Sequence, residues 1–391
     1  MNGVIVIGGY IQGLSNVRAL GEHGVPVWVI DESHCLAQKS RYCKRMICYP
    51  SLYDEAMASF LVELCQQNDL QNWLLLPSDD NGVIYISNHK EELSCYATIV
   101  PSSKEIEQIV NKRKLLQLAE KVGTPIPRTY YPEQWYKAKQ LSYPVMIKGN
   151  YGLEFFKVRH KKAYRVDAYE QLEETLNFIR KVYESDEFMI QEMIPFDPVN
   201  RVLSFTCFAI KGEIKSYWMG DKLRERPLQF GTATLARSVN KPDVLKDVTP
   251  LIEALHYTGV CEVEMMRDPR DGVYKLIEIN PRTWMWVGLA KACGIEYAWM
   301  LYCYANKIEC AYPQSYTLDT KWRNAYTDVV YSWKAMLSGK LTWKEYRNSL
   351  KGDIVGAVWS WSDICPGLYF PCLMVENVIK KMLRLLRQRK V

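Results

Sequence analysis

The residues with the clearest chemical meaning sit in one stretch. Glu262-Val263-Glu264 is followed by Asp268-Pro269-Arg270-Asp271-Gly272, and then by Lys275-Leu276-Ile277-Glu278-Ile279-Asn280-Pro281-Arg282. Two apolar runs joined by Asp, Pro and Gly predict a β-hairpin over 260–266 and 274–279. Glu278 and Asn280 are two apart, so on a strand they project from one face. Glu264 on the partner strand can face them. Two carboxylates and an amide oxygen make a hard-oxygen site, which suits Mg²⁺ and leaves positions for phosphate and water. The competing reading is a solvated sheet face with its acids turned outward. Lysines supply the opposite charge. Lys148 ends the apolar run Pro144-Val145-Met146-Ile147, where a lysine is out of place unless an anion meets it. Lys112 opens a helical stretch, Asn111-Lys112-Arg113-Lys114. Each lysine alone reads as surface charge; together with the acidic set they suggest a triphosphate held between cations.

Several elements must position these groups. Residues 1–102 read as a small doubly wound α/β domain, with strands at Val4–Ile7, Val25–Ile30, Trp73–Pro77 and Ile99–Pro101. Its first turn, Gly8-Gly9-Tyr10-Ile11-Gln12-Gly13, partly matches a dinucleotide fingerprint, with Asp31 about twenty residues on. Tyr10 stands where the middle glycine should let a pyrophosphate approach, so a tight strand-to-helix turn is the plainer reading. A helix is predicted over 105–122, ended by Gly123 and an extended Pro125/Pro127 exit. Strands follow at 143–148, 155–166, 188–192, 203–210 and 214–220, with an amphipathic helix at 170–183. This second region is α+β. Beyond about 310 the chain is rich in Trp and Tyr, mostly helical, and ends in a basic helix. For Trp322, Trp333, Trp343, Trp359 and Trp361 a core role weighs at least as much as a ligand role.

In their order and spacing, these segments resemble the ATP-grasp superfamily. The resemblance rests on Asn111-Lys112 with Gly123 to Thr129, on Pro144 to Lys148, on Gln191-Glu192-Met193-Ile194-Pro195, and on Glu264 with Leu276 to Arg282. It covers about residues 1–300. The group it is most similar to is the carboxylate–amine ligases, which include D-aspartate ligases and carbamoyl-phosphate-synthase-like proteins. Asp221-Lys222-Leu223-Arg224, followed by Phe230 to Thr234, adds to that likeness. The implied fold is an α/β pre-ATP-grasp domain (1–102), small and large α+β ATP-grasp subdomains (103–187 and 188–310), and a helical C-terminal extension (311–391). The resemblance also implies roles. Lys112 and Lys148 would bind ATP phosphates, and Glu192, Met193 and Ile194 would read adenine. Asp197 would meet the ribose. Glu264, Glu278 and Asn280 would hold Mg²⁺, with Mn²⁺ an alternative. Arg282, Lys222 and Arg224 would face the transferred phosphate, the acyl-phosphate or the substrate carboxylate. One departure stands out: the phosphate-covering loop, Gly149-Asn150-Tyr151-Gly152-Leu153-Glu154-Phe155-Phe156, keeps only two glycines.

The implied reaction joins a small-molecule carboxylate to an amine through an acyl-phosphate, releasing ADP and phosphate. The amine is expected to be an amino acid and the acceptor a cell-surface polymer or its precursor. A carbamoyl-phosphate-type enzyme and a nucleotide-binding module without turnover are the alternatives. An NAD-dependent oxidoreductase is disfavoured by Tyr10. Composition agrees with a globular enzyme: 391 residues, 48% apolar, 24% charged and a formal charge of +6. That balance argues against a strongly basic nucleic-acid binder. Twelve scattered cysteines and no basic n-region before an apolar run point to reduced thiols in the cytoplasm. Most of the charge sits at the end: residues 376–391 hold six basic residues and one acid. Ile379, Met382, Leu383 and Leu386 fall at helical spacing beside Lys380, Lys381, Arg384 and Arg387. That basic amphipathic pattern suits weak peripheral contact with the inner face of a membrane, and equally a terminal helix packed on its own domain.

Overall fold

The computed structural model describes residues 1–391 apart from 50, 153, 156–162, 182–186, 196–201, 227–230 and 389–391. The chain divides into two compact units. One comprises Met1–Val100, Lys215–Asn240 and Arg282–Val391; the other comprises Pro101–Ile214 and Lys241–Pro281.

The first unit opens with five parallel strands, β1 (Val4–Ile7), β2 (Val27–Asp31), β3 (Cys43–Cys48), β4 (Leu74–Pro77) and β5 (Ala97–Thr98), in the order β3-β2-β1-β4-β5. β1 and β4 are buried along their whole length, as parallel strands covered on both faces must be. Helices α1 (Ile11–Glu22), α2 (Met57–Gln67) and α3 (Asp80–Asn88) make the crossovers. At the first turn Gly8 adopts φ +89°, and a Cβ on Gly13 would lie 2.1 Å from the Gly8 carbonyl oxygen. Both glycines are therefore explained by the tight turn itself. Tyr10 packs toward Phe370, with ring centroids 6.2 Å apart. The strand expected at Ile99–Pro101 lies earlier, at Ala97–Thr98, where Ala97 N–H donates to the Trp73 carbonyl. Pro101 has no N–H to extend the ladder.

The second unit begins with α4 (Ser103–Val110) and α5 (Lys112–Lys121) in place of one helix over 105–122. Asn111 breaks the run. Its backbone is extended, at φ −80° and ψ 101°, and its side chain accepts from Lys114 N–H as the cap of α5. A capping box of Ser102 and Glu105 starts α4. Antiparallel strands follow, β6 (Thr129–Tyr130), β7 (Val145–Gly149), β8 (Tyr164–Val166) and β9 (Phe188–Glu192), in the order β6-β9-β7-β8. Their apolar face, Val145, Ile147, Phe188 and Ile190, is covered by Leu172, Leu176 and Ile179 of α6 (Leu172–Arg180). Phe155 joins this core and is fully buried. The expected strand does not start at Phe155, which is helical and turned inward; 156–162 lie outside the described residues, and β8 is described from Tyr164.

The chain continues through β10 (Val202–Ile210) in the second unit, β11 (Glu213–Arg226), which belongs to the first unit from Lys215 on, and β12 (Thr232–Ser238) of the first. It completes the second unit with α7 (Pro242–Ala254), β13 (Gly259–Arg267) and β14 (Tyr274–Asn280). β13 pairs antiparallel with both β10 and β14. The remainder belongs to the first unit: α8 (Val287–Ala292), α9 (Tyr297–Ala305), β15 (Lys321–Arg323), α10 (Ala325–Leu337), α11 (Trp343–Ser349), β16 (Ile354–Gly356) and α12 (Cys365–Gln388). Trp218, Trp284 and Trp322 are fully buried there, and Trp218 stacks on Trp284 at 5.9 Å. Of the five C-terminal tryptophans, Trp322 is core, whereas Trp333, Trp343, Trp359 and Trp361 are exposed. The twelve cysteines form no disulfide.

The glycine-poor loop has a packing reason. A Cβ on Gly149 would come within 2.5 Å of Phe155 Cβ, so glycine lets Phe155 fold back under the end of β7. Phe155→Ala should empty that site and cost about 3–5 kcal/mol, read as a lowered urea midpoint. A midpoint equal to wild type would show that the core closes without this ring.

Candidate nucleotide and metal site

The hairpin of β13 and β14 presents one polar face. Its register sets Glu264 opposite Glu278 and Glu262 opposite Asn280, so all four side chains project to the same side. The register shifts just beyond Glu264, where Met265 pairs with Leu276 and Ile277 is the extra residue. A bulge of this kind re-aims neighbouring side chains. The opposite face carries Val263, Met265 and Ile279, which are buried. Ser204 and Thr206 of β10 continue the polar face.

Within this face the orientation of Asn280 is determined chemically. Its Nδ2 donates to Glu262 Oε2 at 3.0 Å, and Ser204 Oγ donates to Glu262 Oε1 at 2.7 Å. Glu262 is only 3% exposed. With the Glu262 carboxylate accepting, the amide nitrogen points at it and Oδ1 points away from it. Oδ1 is the end of the amide whose chemistry suits a hard cation. Among the described residues no three His, Cys, Asp or Glu side chains gather as a metal site. The candidate set is instead Glu264, Glu278 and the Asn280 amide, a sparse oxygen set that fits Mg²⁺ with phosphate and water as its other ligands.

The two lysines converge on that face. Lys112, the first residue of α5, places Nζ 3.1 Å from Glu278 Oε2. Its N–H donates to the Asn150 carbonyl at 2.8 Å, and Asn111 bridges Tyr151. The segment after β7 is thereby tied to the start of α5, and this brings Lys112 toward Lys148. Lys148 donates to Gln191 Oε1 at 2.9 Å. Burial and the charge of Lys112 pull the Lys148 ammonium down to about 8, while Glu278 opposes the fall. Gln191 in turn donates from Nε2 to Thr129 Oγ1 at 2.9 Å.

Glu192 lies on the other face of β9 from Gln191 and is held by the protein. Ser142 N–H donates to its Oε1 at 2.8 Å, and the Arg270 guanidinium lies 3.3 Å from Oε2. Arg270 also clasps Asp268 at 2.6 Å. Burial pushes the Asp268 carboxyl up, but hydrogen bonds from Arg270 and Lys275 outweigh it and hold it well below the usual carboxylate range. The hairpin turn is thus locked to the end of β9. Met193 donates its N–H to the Pro144 carbonyl, and Ile194 is buried. Asp197 lies outside the described residues.

The remaining expected residues belong to the first unit. Arg282 pairs with Asp80, Nε to Oδ1 at 3.1 Å. Lys222 stands on β11 opposite Ala236. Arg224 grips the fully buried Asp328 with Nε and Nη2 at 2.7 and 2.8 Å, bonds Ser349, and stacks over Tyr346. Arg323 holds the same Asp328 at 2.8 Å. Sequence reasoning missed Glu262 as an orienting group and Gln191 as the partner of Lys148. Both lay in quoted motifs, and the i, i+2 spacing of Glu262 with Glu264 was the available signal.

A polyphosphate meeting Lys148 favours its charged form. Binding should therefore take up a proton where the unliganded lysine is partly neutral. Calorimetry of MgATP in two buffers at pH 8 should show uptake of about half a proton, falling toward zero at pH 6. Lys148→Met should remove the uptake; persistence in that variant would assign the proton to another group.

No protein-family model matches the chain. It is 26% identical over 226 residues to D-aspartate ligase of Enterococcus faecium (strain Aus0004), an alignment covering 54% of this chain and 53% of that protein. The match thus spans about half the length of the relative. Among solved structures, biotin carboxylase from Campylobacter jejuni superposes with a TM-score of 0.65 at 15% identity, covering 82% of this chain and 74% of that one. N5-carboxyaminoimidazole synthetase from Staphylococcus aureus, complexed with ADP, gives 0.62 at 16% identity, covering 82% and 80%. L-amino acid ligase from Bacillus licheniformis gives 0.58 at 17% identity, covering 78% and 74%. The chain has the fold of the ATP-grasp superfamily.

Proposed function

We propose that the protein is an ATP-dependent carboxylate–amine ligase, working through an acyl-phosphate and releasing ADP and phosphate. The observation that carries this reading is the meeting of Lys112 with Glu278 beside Lys148, on the face that also holds Glu264 and Asn280. In this reading residues 103–187 and 188–310 are the small and large ATP-grasp subdomains. Lys112 and Lys148 hold the phosphates. Met193 and Ile194 offer backbone to adenine, with Glu192 at its edge and Asp197 at the ribose. Glu264, Glu278 and Asn280 hold Mg²⁺ or Mn²⁺, which when bound offsets charge on the phosphate oxygens and leaves the γ-phosphorus open to attack. The substrate carboxylate attacks that phosphorus and ADP leaves; an amine then attacks the acyl carbon and phosphate leaves. The first step spreads charge over phosphoryl oxygens, so positioned cations serve it better than a covalent nucleophile. Lys222 and Arg282 are the cations for the acid and the acyl-phosphate. Arg224, already gripping Asp328, suits anchoring β11 around them more than binding substrate directly.

The similarity to D-aspartate ligase and L-amino acid ligase supports an amino acid as the amine, with a cell-surface polymer or its precursor as the acceptor. The discriminating experiment is a screen of acid and amine pairs, with bicarbonate and ammonia included, for ADP release. ATP binding with no release from any pair would leave a binding module. Release with bicarbonate alone would select the carbamoyl-phosphate type.

Two variants test the metal face. Glu278→Ala should abolish ADP formation while the circular dichroism spectrum stays native; retained turnover removes Glu278 from the site. Glu262→Gln lets either end of the amide face Asn280, so Oδ1 is no longer held outward. The Mg²⁺ concentration for half-maximal ADP release should rise about tenfold, with the KM values of acid and amine unchanged. An unchanged Mg²⁺ requirement would reduce Glu262 to core packing.

A further inference from the structure

Large apolar side chains exposed to solvent are unevenly spread along this chain. Among the described residues nineteen are exposed, and twelve of them fall between Val329 and Met382. Two helices carry most of these, and both belong to the first unit. On α10, Tyr326, Val330, Trp333 and Leu337 follow at spacings of four, three and four, which is one side of a helix. Tyr326 is tied down, donating its hydroxyl to the Gly367 carbonyl at 2.6 Å and meeting the Phe370 ring edge-on at 5.2 Å. Beyond it the stripe runs into solvent: Trp333 is 60% exposed and Leu337 75%. On α12, Leu368, Val375, Ile379 and Met382 recur at seven, four and three and are likewise exposed. Two exposed apolar stripes thus leave a common junction at Tyr326 and Phe370.

The charges interleaved with them name the occupant. Between Val329 and Lys351 the basic residues are Lys334, Lys340, Lys344, Arg347 and Lys351, all exposed, against the single acid Glu345, a net of +4. Residues 376–391, which overlap the end of the α12 stripe, add a net of +5 by sequence. Trp343, at the start of α11, is 60% exposed among them. We propose that this face, formed by α10, α11 and the exposed side of α12, docks on an anionic lipid bilayer. Apolar stripes entering the acyl boundary, tryptophans at the interface and lysines toward lipid phosphates are the three features that shallow bilayer binding requires. A second copy is a poorer occupant, because a twofold contact would bring this basic face against itself. A nucleic acid would leave Val330, Leu337 and Val375 in water against its phosphates. The surface is independent of the ligase reading. It also moves membrane contact from the tail alone to a folded face.

The test is co-sedimentation of the full chain with vesicles of phosphatidylcholine, and of phosphatidylcholine with about 30% phosphatidylglycerol. The protein should pellet with the anionic vesicles at least about fivefold more than with the neutral ones, and about 0.5 M salt should weaken that binding. Trp333→Glu/Leu337→Glu and, separately, Lys340→Glu/Lys344→Glu should each reduce binding by about fivefold or more at an unchanged melting temperature. The second pair alters only exposed lysines in and next to α11, so it remains informative if the first fails to fold. A wild-type protein that stays in the supernatant with anionic vesicles overturns the proposal. So do variants that pellet as well as wild type. Dimeric wild type and monomeric Trp333→Glu/Leu337→Glu, neither binding vesicles, would assign the face to a second copy. Duplex DNA binding that survives that variant, without vesicle binding, would assign the lysines to nucleic acid.

Discussion

Two lysines pressed toward each other against a face of carboxylates form the constraint around which the second unit is organised. Like charges repel more strongly as water is withdrawn, and burial adds its own penalty to each ammonium. Lys148 shows both effects in its lowered titration range. Left to themselves the two side chains would swing apart into solvent. They are prevented from doing so by backbone, not by side-chain affinity. Asn111 ends α4 and caps α5, so Lys112 enters at a fixed point, and the Asn150 carbonyl holds its amide. Phe155 folds under Gly149 and fixes the path beyond Lys148. Glu278 and Gln191 then take one ammonium each. A site held in this way is electrostatically unfinished, and a polyanion is the ligand that completes it.

The acidic face is handled by a different device. Glu262 is buried and accepts from Ser204 and from the Asn280 amide, at the inner end of a row that includes Glu264 and Glu278. Its charge enters the site indirectly, as the orientation of an amide. Asn280 can then present an oxygen without adding a third negative charge beside the triphosphate. A third carboxylate in place of the amide would bind Mg²⁺ more tightly but would also repel the phosphates it must share the ion with. The mixed set balances metal affinity against phosphate affinity.

How much of this was legible in the sequence depends on how far each feature reaches along the chain. The sharing of a face by Glu278 and Asn280 follows from the two-residue period of a strand, and the Asp-Pro-Gly turn made the hairpin plain. Glu262 was adjacent to that reading, but its role depends on a cross-strand register that no local period specifies. The break at Asn111 was hidden because its flanks are both helical; only the cap to Lys114 separates them. Gln191 and Glu192 are neighbours with opposite orientations, and which one faces Lys148 is decided by the pairing of β9 with β7. Arg224 was the least legible, since the carboxylate that holds it lies 104 residues away.

The +6 charge of the chain acquires a different meaning once it is located. With +5 in 376–391 and +4 in 329–351, the other residues sum to −3. The body that carries Lys112 and Lys148 is therefore mildly acidic, and long-range attraction does not bring a triphosphate to it. Capture must be local, through two ammonium groups within reach of the anion, at distances where screening by salt is weak. The basic stretches act over the opposite range. In 329–351 the lysines are exposed and interleaved with apolar side chains, so each contributes little alone and the sum matters only against an extended anionic surface. One chain thus uses the same residue type in two regimes. Half-buried lysines held among close neighbours select a compact anion, and exposed ones suit a broad anionic surface. Net charge cannot distinguish the two, whereas burial and neighbours do.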